Sequence, residues 1–460
     1  VVGAAVAVAV SSPILGAGIG AATEPPPPDE TGAPRVVELA ELPPEPTPPS
    51  APSEPPIDEL VDAIDDGDRD PTDLRGSKAV ETLESTGLLD DVAANAGVDE
   101  GELVDELLDD PTMFVAATGD LGYVEMLPTP DHDDDHDHQS DHDDHGDEWL
   151  EADVGHDGAG LLAPALLTGS AFDLHSNEGS GGPTLYLDFN GHTTTSGVWE
   201  SFGFGLPIVS QPFDRDGSPS SFSSAEQQEI YEIWLRVAED YAPFGVDVTT
   251  DPTVQVDQRV VVSPTNIFAP LVANWQGILG VAIVGSFGEP SEIPAFVFTG
   301  SGAGHLPTKW TAEAISHEAG HTFGLRHDGR RDGSTVEEYY GGHGDWAPIM
   351  GLAIERPVAQ WSRGEYRCAN RTENGIDVIA RLVGYRADDW PTAPSASPAI
   401  SGTGTTSGII GAGSDVDALR IDTSGGPTTI TVRPAGPSPN LHPRITVRSS
   451  TGTVLGVGAP

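Results

Sequence analysis

The order of apolar and polar runs predicts an α/β (α+β) domain in which helices pack on a mixed five-stranded sheet. A small helical module is expected before it and an all-β sandwich after it. Three observations carry this reading. Five short β-type runs lie between residues 184 and 298. Two stretches of helical periodicity, one among those runs and one just after them, supply helices to cover the sheet. Flanking segments change abruptly in composition. Thr184–Phe189 alternates apolar and polar residues and stops at Asn190–Gly191, a strand with its turn. Ser223 and Glu226 form a capping-box pattern. Ile230, Ile233, Trp234, Val237, Ala238 and Tyr241 then mark one apolar helical stripe. Val246–Val248, Arg259–Val262, Gly277–Val284 and Pro294–Phe298 read as the remaining strands, and Glu373–Leu382 as the closing helix.

The most informative string is HEAGHTFGLRH, His317 to His327. On a helix, His317 and His321 stand one above the other and can offer two nitrogens to one metal ion. Glu318 lies one step round, within reach of a metal-bound water without being a ligand. Gly324 permits a sharp turn, which returns His327 as a third ligand. Three nitrogens and an open position suit a catalytic zinc, whereas a structural zinc usually has four protein ligands. With this composition the five positions coincide by accident in roughly one such sequence in ten thousand. Zinc so held would lower the pKa of its water to about 7, with Glu318 as general base. The bland alternative is a surface helix with scattered histidines.

Ala347–Gly351 places a lone methionine, Met350, in a Pro/Gly-flanked turn downstream. Here the chain resembles the metzincin metallopeptidases, in which such a Met-turn follows a long zinc signature. The resemblance runs from Thr184 to about Ala387. It implies a secreted zinc-dependent endopeptidase with Met350 as an apolar floor beneath the metal. It also implies that the last strand before the zinc helix is an antiparallel edge strand to which an extended peptide can pair. Asp328 directly follows His327, as in the reprolysin/adamalysin-like branch, and could orient His327 or brace the turn. Leu352 stands where the tyrosine ligand of astacin- and serralysin-type enzymes would be. Matrixin-type enzymes use a propeptide cysteine for latency. The one cysteine here, Cys368, follows the Met-turn and reads as an inert small residue. His343 and Asp345 read as loop structure or cleft wall.

Composition and segment boundaries frame the rest. Asp and Glu number 73 against 21 Lys and Arg, for a net charge of −52, which repels nucleic acid and anionic membranes. The near absence of lysine (Lys78 and Lys309 only) fits either a high-salt habitat or a GC-rich genome. Residues 1–22 are small and apolar and read as a secretory signal whose start is clipped; an uncleaved membrane anchor is the alternative. Residues 23–56 are a Pro-rich spacer expected to be disordered. Residues 57–128 show helical periodicity with acidic outer faces and read as a propeptide-like module, with a short strand at Val124–Met126. Residues 129–182 form a linker containing the Asp/His tract 131–147, either a plain charged spacer or a weak reservoir for divalent ions. Residues 183–388 are the peptidase domain, 389–410 a linker, and 411–460 a β-sandwich. The last resembles the prepeptidase-like β-domains of secreted bacterial peptidases and is short enough to be truncated. Asp214–Gly217 could contribute oxygens to calcium, but it lacks the rest of any loop signature and reads rather as an acidic turn. Asn370–Thr372 is a formal glycosylation sequon. The expected partner is a protein or peptide substrate, and the expected state a monomer. The rival reading from another class is an extracellular metal-binding or adhesion protein built on a catalytically inactive metzincin fold.

Overall fold

In the computed structural model the described residues are 5–11, 74–126 and 169–458, less 196–197, 200–206, 270–276, 291–292, 302–303, 394, 402–403, 412–414, 423–427, 435–438 and 442. The Pro-rich spacer, the Asp/His tract and most of the expected signal segment lie outside them. From that segment only β1 (Ala5–Ser11) is described. It pairs antiparallel with 404–409 on one side and 429–434 on the other.

The propeptide-like module contains α1 (Gly76–Thr86), α2 (Leu89–Asn95) and α3 (Glu100–Asp109), followed by a hairpin of β2 (Met113–Val115) and β3 (Leu121–Met126). Leu83, Leu88, Val92, Leu103, Leu107 and Tyr123 form its own core. The expected Val124–Met126 strand is thus the end of a longer one, and the module is not purely helical.

The catalytic segment supplies β4 (Thr184–Asp188), β5 (His192–Thr194), β6 (Ile208–Ser210), α4 (Ser224–Asp240), β7 (Asp247–Thr249), β8 (Gln258–Ser263), β9 (Ile278–Ile283), β10 (Ala295–Phe298), α5 (Thr308–Thr322) and α6 (Gly375–Val383). The capping box opens α4: Ser223 accepts from the Glu226 amide, and Glu226 accepts from the Ser223 amide. Along the apolar stripe Ile230, Ile233, Val237 and Tyr241 are fully buried, while Trp234 and Ala238 are partly so. Full burial of such side chains contributes roughly 1.5–3 kcal/mol each.

The main sheet has order β2-β3-β9-β10-β8-β4-β7. It therefore has seven strands rather than five, because the module adds its hairpin to the five strands of the catalytic segment. β7, β4, β8 and β10 run parallel, and β9 is antiparallel to β10. This corrects a second expectation. The antiparallel strand at the edge of the catalytic segment is β9, whereas the last long strand before α5, β10, is interior between β9 and β8. α4 and α5 cover one face of the sheet. The other face buries Trp199, Phe268, Phe296 and Phe298 together with Phe114 and Val124 of the module. Both module residues are fully buried, so the hairpin completes that core as well as the sheet.

Beyond α6 the described elements are β strands in small sheets: 399–401 with 420–422, 445–448 with 454–458, and the two strands flanking β1. This segment reaches the catalytic core through Asn440. Its amide donates to Glu239 Oε1 (2.9 Å), its side-chain nitrogen to Asp240 Oδ1 (2.6 Å), and its Oδ1 accepts from the Ala359 amide. Among the described residues no helix is long and apolar enough to cross a membrane.

Burial pushes the Glu239 carboxyl up to about 8, against the opposing Asn440 hydrogen bond and Arg236 charge. The folded state then holds a proton that the unfolded chain, with an ordinary glutamate, releases near pH 4.5. Stability from this group is complete below that pH and is lost as pH rises towards 8. Denaturant titrations at pH 5 and pH 8.5 should show a smaller difference for Glu239→Gln than for wild type.

Candidate metal centre and catalytic cleft

Helix α5 is buried from Thr311 to Thr322 and carries His317, Glu318 and His321. The helix ends as the sequence requires. Gly324 adopts φ +97°, its amide donates to His321 O (2.8 Å), and the Leu325 amide donates to Gly320 O (3.1 Å). These 5→2 and 6→1 bonds close the helix in the Schellman manner and turn the chain so that His327 re-enters the site. The three ring centroids lie 4.8, 4.9 and 5.3 Å apart.

Each Nδ1 has its own acceptor. His317 Nδ1 meets Ile349 O at 2.8 Å, His321 Nδ1 meets Leu325 O at 2.9 Å, and His327 Nδ1 meets Asp110 Oδ2 at 2.6 Å. With a proton on each Nδ1, a bound metal would find the three Nε2 lone pairs pointing at one place. A fourth group faces them: Glu125 Oε1 lies 3.5, 3.3 and 2.8 Å from Nε2 of His317, His321 and His327. The four candidate ligand atoms fall within 4.8 Å of one another, and all four residues are buried. Among the described residues His317 Nε2 has no hydrogen-bond partner. A buried donor set of three imidazoles and one carboxylate, with one nitrogen otherwise orphaned, fits a tetrahedral zinc.

Burial and the neighbouring histidines push the His321 imidazole down to about 4, against its Glu125 contact. His327, despite its burial, is held up at about 10 by the carboxylates of Glu125 and Asp110. Burial opposes ionisation of Glu125, but the histidine charges and hydrogen bonds outweigh it and hold that carboxyl well below its usual range.

Glu318 is fully buried, and neither carboxylate oxygen has a hydrogen-bond partner among the described residues. Burial, then the Glu125 charge, raises its pKa well above the ordinary value. Room for it comes from Gly280 in β9: a Cβ at that position would lie 1.9 Å from Glu318 Oε1. Met350 packs beneath α5 at another glycine, since a Cβ on Gly320 would lie 2.5 Å from Met350 Sδ. The same turn supports His317 and the chain just after His327. Ile349 O accepts from His317, and Met350 O accepts from the Asp328 amide (2.8 Å).

Asp328 braces this turn through its main chain, with its own carbonyl accepting from the Tyr340 amide. Orienting His327 falls to Asp110 instead. Burial pushes the Asp328 carboxyl up to about 7, with help from Glu373. His343 and Asp345 serve the loop. The His343 amide and carbonyl pair with Trp346, and Asp345 O accepts from the Val358 amide. Asn370 Oδ1 accepts from the Gly329 amide at 2.8 Å and its Nδ2 reaches His327 O at 3.4 Å, which gives this sequon asparagine a structural task. At Asp214–Gly217 the Asp214 Oδ1 accepts from the amides of Asp216, Gly217 and Ser218. That turn accounts for Asp214. Carboxylate oxygens of Asp214, Asp216 and Glu226 lie within 4.8 Å of one another, but those of Glu226 already accept from the Arg215 and Ser223 amides.

Five residues near the centre were not singled out from the sequence: Asp110, Tyr123, Glu125, Gly280 and Tyr339. Tyr123 stacks on His321 with centroids 4.5 Å apart. Tyr339 donates to Glu125 Oε2 at 2.5 Å. Gly280, a glycine inside a wholly buried apolar strand (Ile278–Ile283), carried the one readable signal, since such a glycine marks a close approach.

Residues 262–362 match the family model Reprolysin_5, described as metallo-peptidase family M12. Nothing among the curated proteins matches the chain. The matched span holds all three histidines, Glu318, Gly280 and Met350, and it supports a zinc metallopeptidase, a hydrolase of peptide bonds with a protein or peptide substrate. Asp110, Tyr123 and Glu125 lie outside it.

Gly280→Ala should displace the Glu318 carboxylate while leaving all three histidines in place. The expected outcome is a loss of activity approaching the 10²–10⁴-fold typical of removing an acid–base group, with one metal per chain retained. Turnover and metal content measured on the same sample check it.

Proposed function

We propose that residues 183–388 form a secreted zinc-dependent endopeptidase of metzincin type, reprolysin-like, with His317, His321 and His327 holding the metal and Glu318 as general base. The observation that carries this reading is the convergence of three Nε2 atoms whose Nδ1 atoms are each tied to an acceptor, beside a buried carboxylate that has no partner among the described residues. Bound zinc supplies Lewis acidity, lowering the pKa of a water and polarising a carbonyl.

The chain's own residues do the rest. Glu318 takes a proton on its carboxylate and passes it to the departing amine nitrogen, and a raised pKa suits a group that must both accept and return a proton. Burial of α5 excludes bulk water around it. The Ala347–Gly351 turn keeps His317 aimed through Ile349 O, and the Gly324 turn keeps His321 aimed through Leu325 O. β9 offers the main-chain edge on which an extended substrate would lie, which gives sequence-tolerant binding. Export fits the apolar segment 1–22. The catalytically inactive metal-binding alternative leaves the partnerless Glu318 and the Gly280 gap without a purpose.

Glu318→Ala in the full chain should keep one zinc and lose hydrolysis of an unfolded protein by about 10²–10⁴-fold. Equal hydrolysis by variant and wild type would remove Glu318 from the reaction. Alanine at any one of the three histidines should lower zinc retention instead.

A further inference from the structure

Residues 74–126 occupy the cleft rather than lying beside it. β3 pairs antiparallel with β9 in the register Gly122↔Ile283, Tyr123↔Ala282, Val124↔Val281 and Glu125↔Gly280. The edge proposed for substrate is therefore filled by a strand of the chain itself. Glu125 stands opposite Gly280, the residue that makes room for Glu318. The register shifts just after it, between Glu125 and Met126, and a bulge at that point re-aims a side chain. Its carboxylate is fixed at both ends, with Oε1 towards the three Nε2 atoms and Oε2 accepting from Tyr339.

The module is clamped from outside as well. Arg326 Nη1 donates to Glu106 (2.9 Å), Arg371 contacts Glu106 and Glu102, and Arg331 contacts Asp109. Arg326 and Glu106 are both buried side chains, so this pair is screened little by salt.

Resting on the peptidase reading above, we propose that this module holds the enzyme latent. Glu125 would hold a bound metal together with the three histidines, and β3 takes the place of the substrate backbone on β9. Two requirements for turnover are thereby blocked by one strand, since water cannot reach the metal and a peptide cannot reach the sheet edge. Activity then requires the module to leave the cleft. Asp110 departs with it, which removes the acceptor for His327 Nδ1, so the module also pre-shapes the site before metal arrives.

The test uses the full chain as wild type and Glu125→Gln, a substitution that keeps the size of the side chain and an acceptor for Tyr339. Cobalt(II) replaces zinc for an absorption spectrum, and the zinc forms are assayed on an unfolded protein. Loss of a carboxylate ligand should shift the cobalt bands. A closed state favoured tenfold cuts access by that factor, so the variant's kcat/KM should rise about tenfold or more. Coincident spectra, or equal rates, would overturn the proposal. Failure of the peptidase reading looks different: the spectrum shifts, yet neither form hydrolyses anything, which overturns latency while leaving Glu125 as a ligand.

Discussion

Three imidazole rings with centroids about 5 Å apart, buried and aimed at one point, are costly unless something shares their lone pairs. The surrounding structure is arranged to keep them so. Each ring is anchored from a different part of the chain: Ile349 from the Met-turn, Leu325 from the helix exit and Asp110 from the N-terminal module. Gly320 lets Met350 close up beneath the helix, and Gly280 lets Glu318 lie above it. The sheet and its two apolar layers hold α5, the Met-turn and β9 in register around that point.

Local and non-local information divide clearly in this protein. The string from His317 to His327 was legible because every relation in it follows from helical rise and one glycine turn. α4 was legible for the same reason, its capping box and apolar stripe lying within a single helix. The strands of the catalytic segment were legible as runs, but not their order. Nothing in Gly277–Val284 says that it, and not Pro294–Phe298, lies at the antiparallel edge, because pairing is decided by partners far along the chain.

Glu125 illustrates the limit. It lies 202 positions from His327 in a six-residue strand whose neighbours are mostly buried, and no spacing rule links it to a metal. The module read as helical because three amphipathic helices outweigh one short hairpin in any periodicity count. Asp328 was a plausible brace for His327 by adjacency, yet adjacent residues on a turn point apart, and Asp110 from another segment fills that role. In each case the chemistry was visible at the level of residue type, while the partner was supplied by tertiary packing.

The central claim is that His317, His321 and His327 bind one zinc together. Zinc K-edge absorption on the full chain carrying one equivalent of metal tests it most directly. The account predicts three imidazole nitrogens and one oxygen at about 2.0–2.2 Å in tetrahedral array. An oxygen-dominated first shell, as exposed carboxylates would give, or a spectrum unchanged when His321 is replaced by alanine, would contradict it.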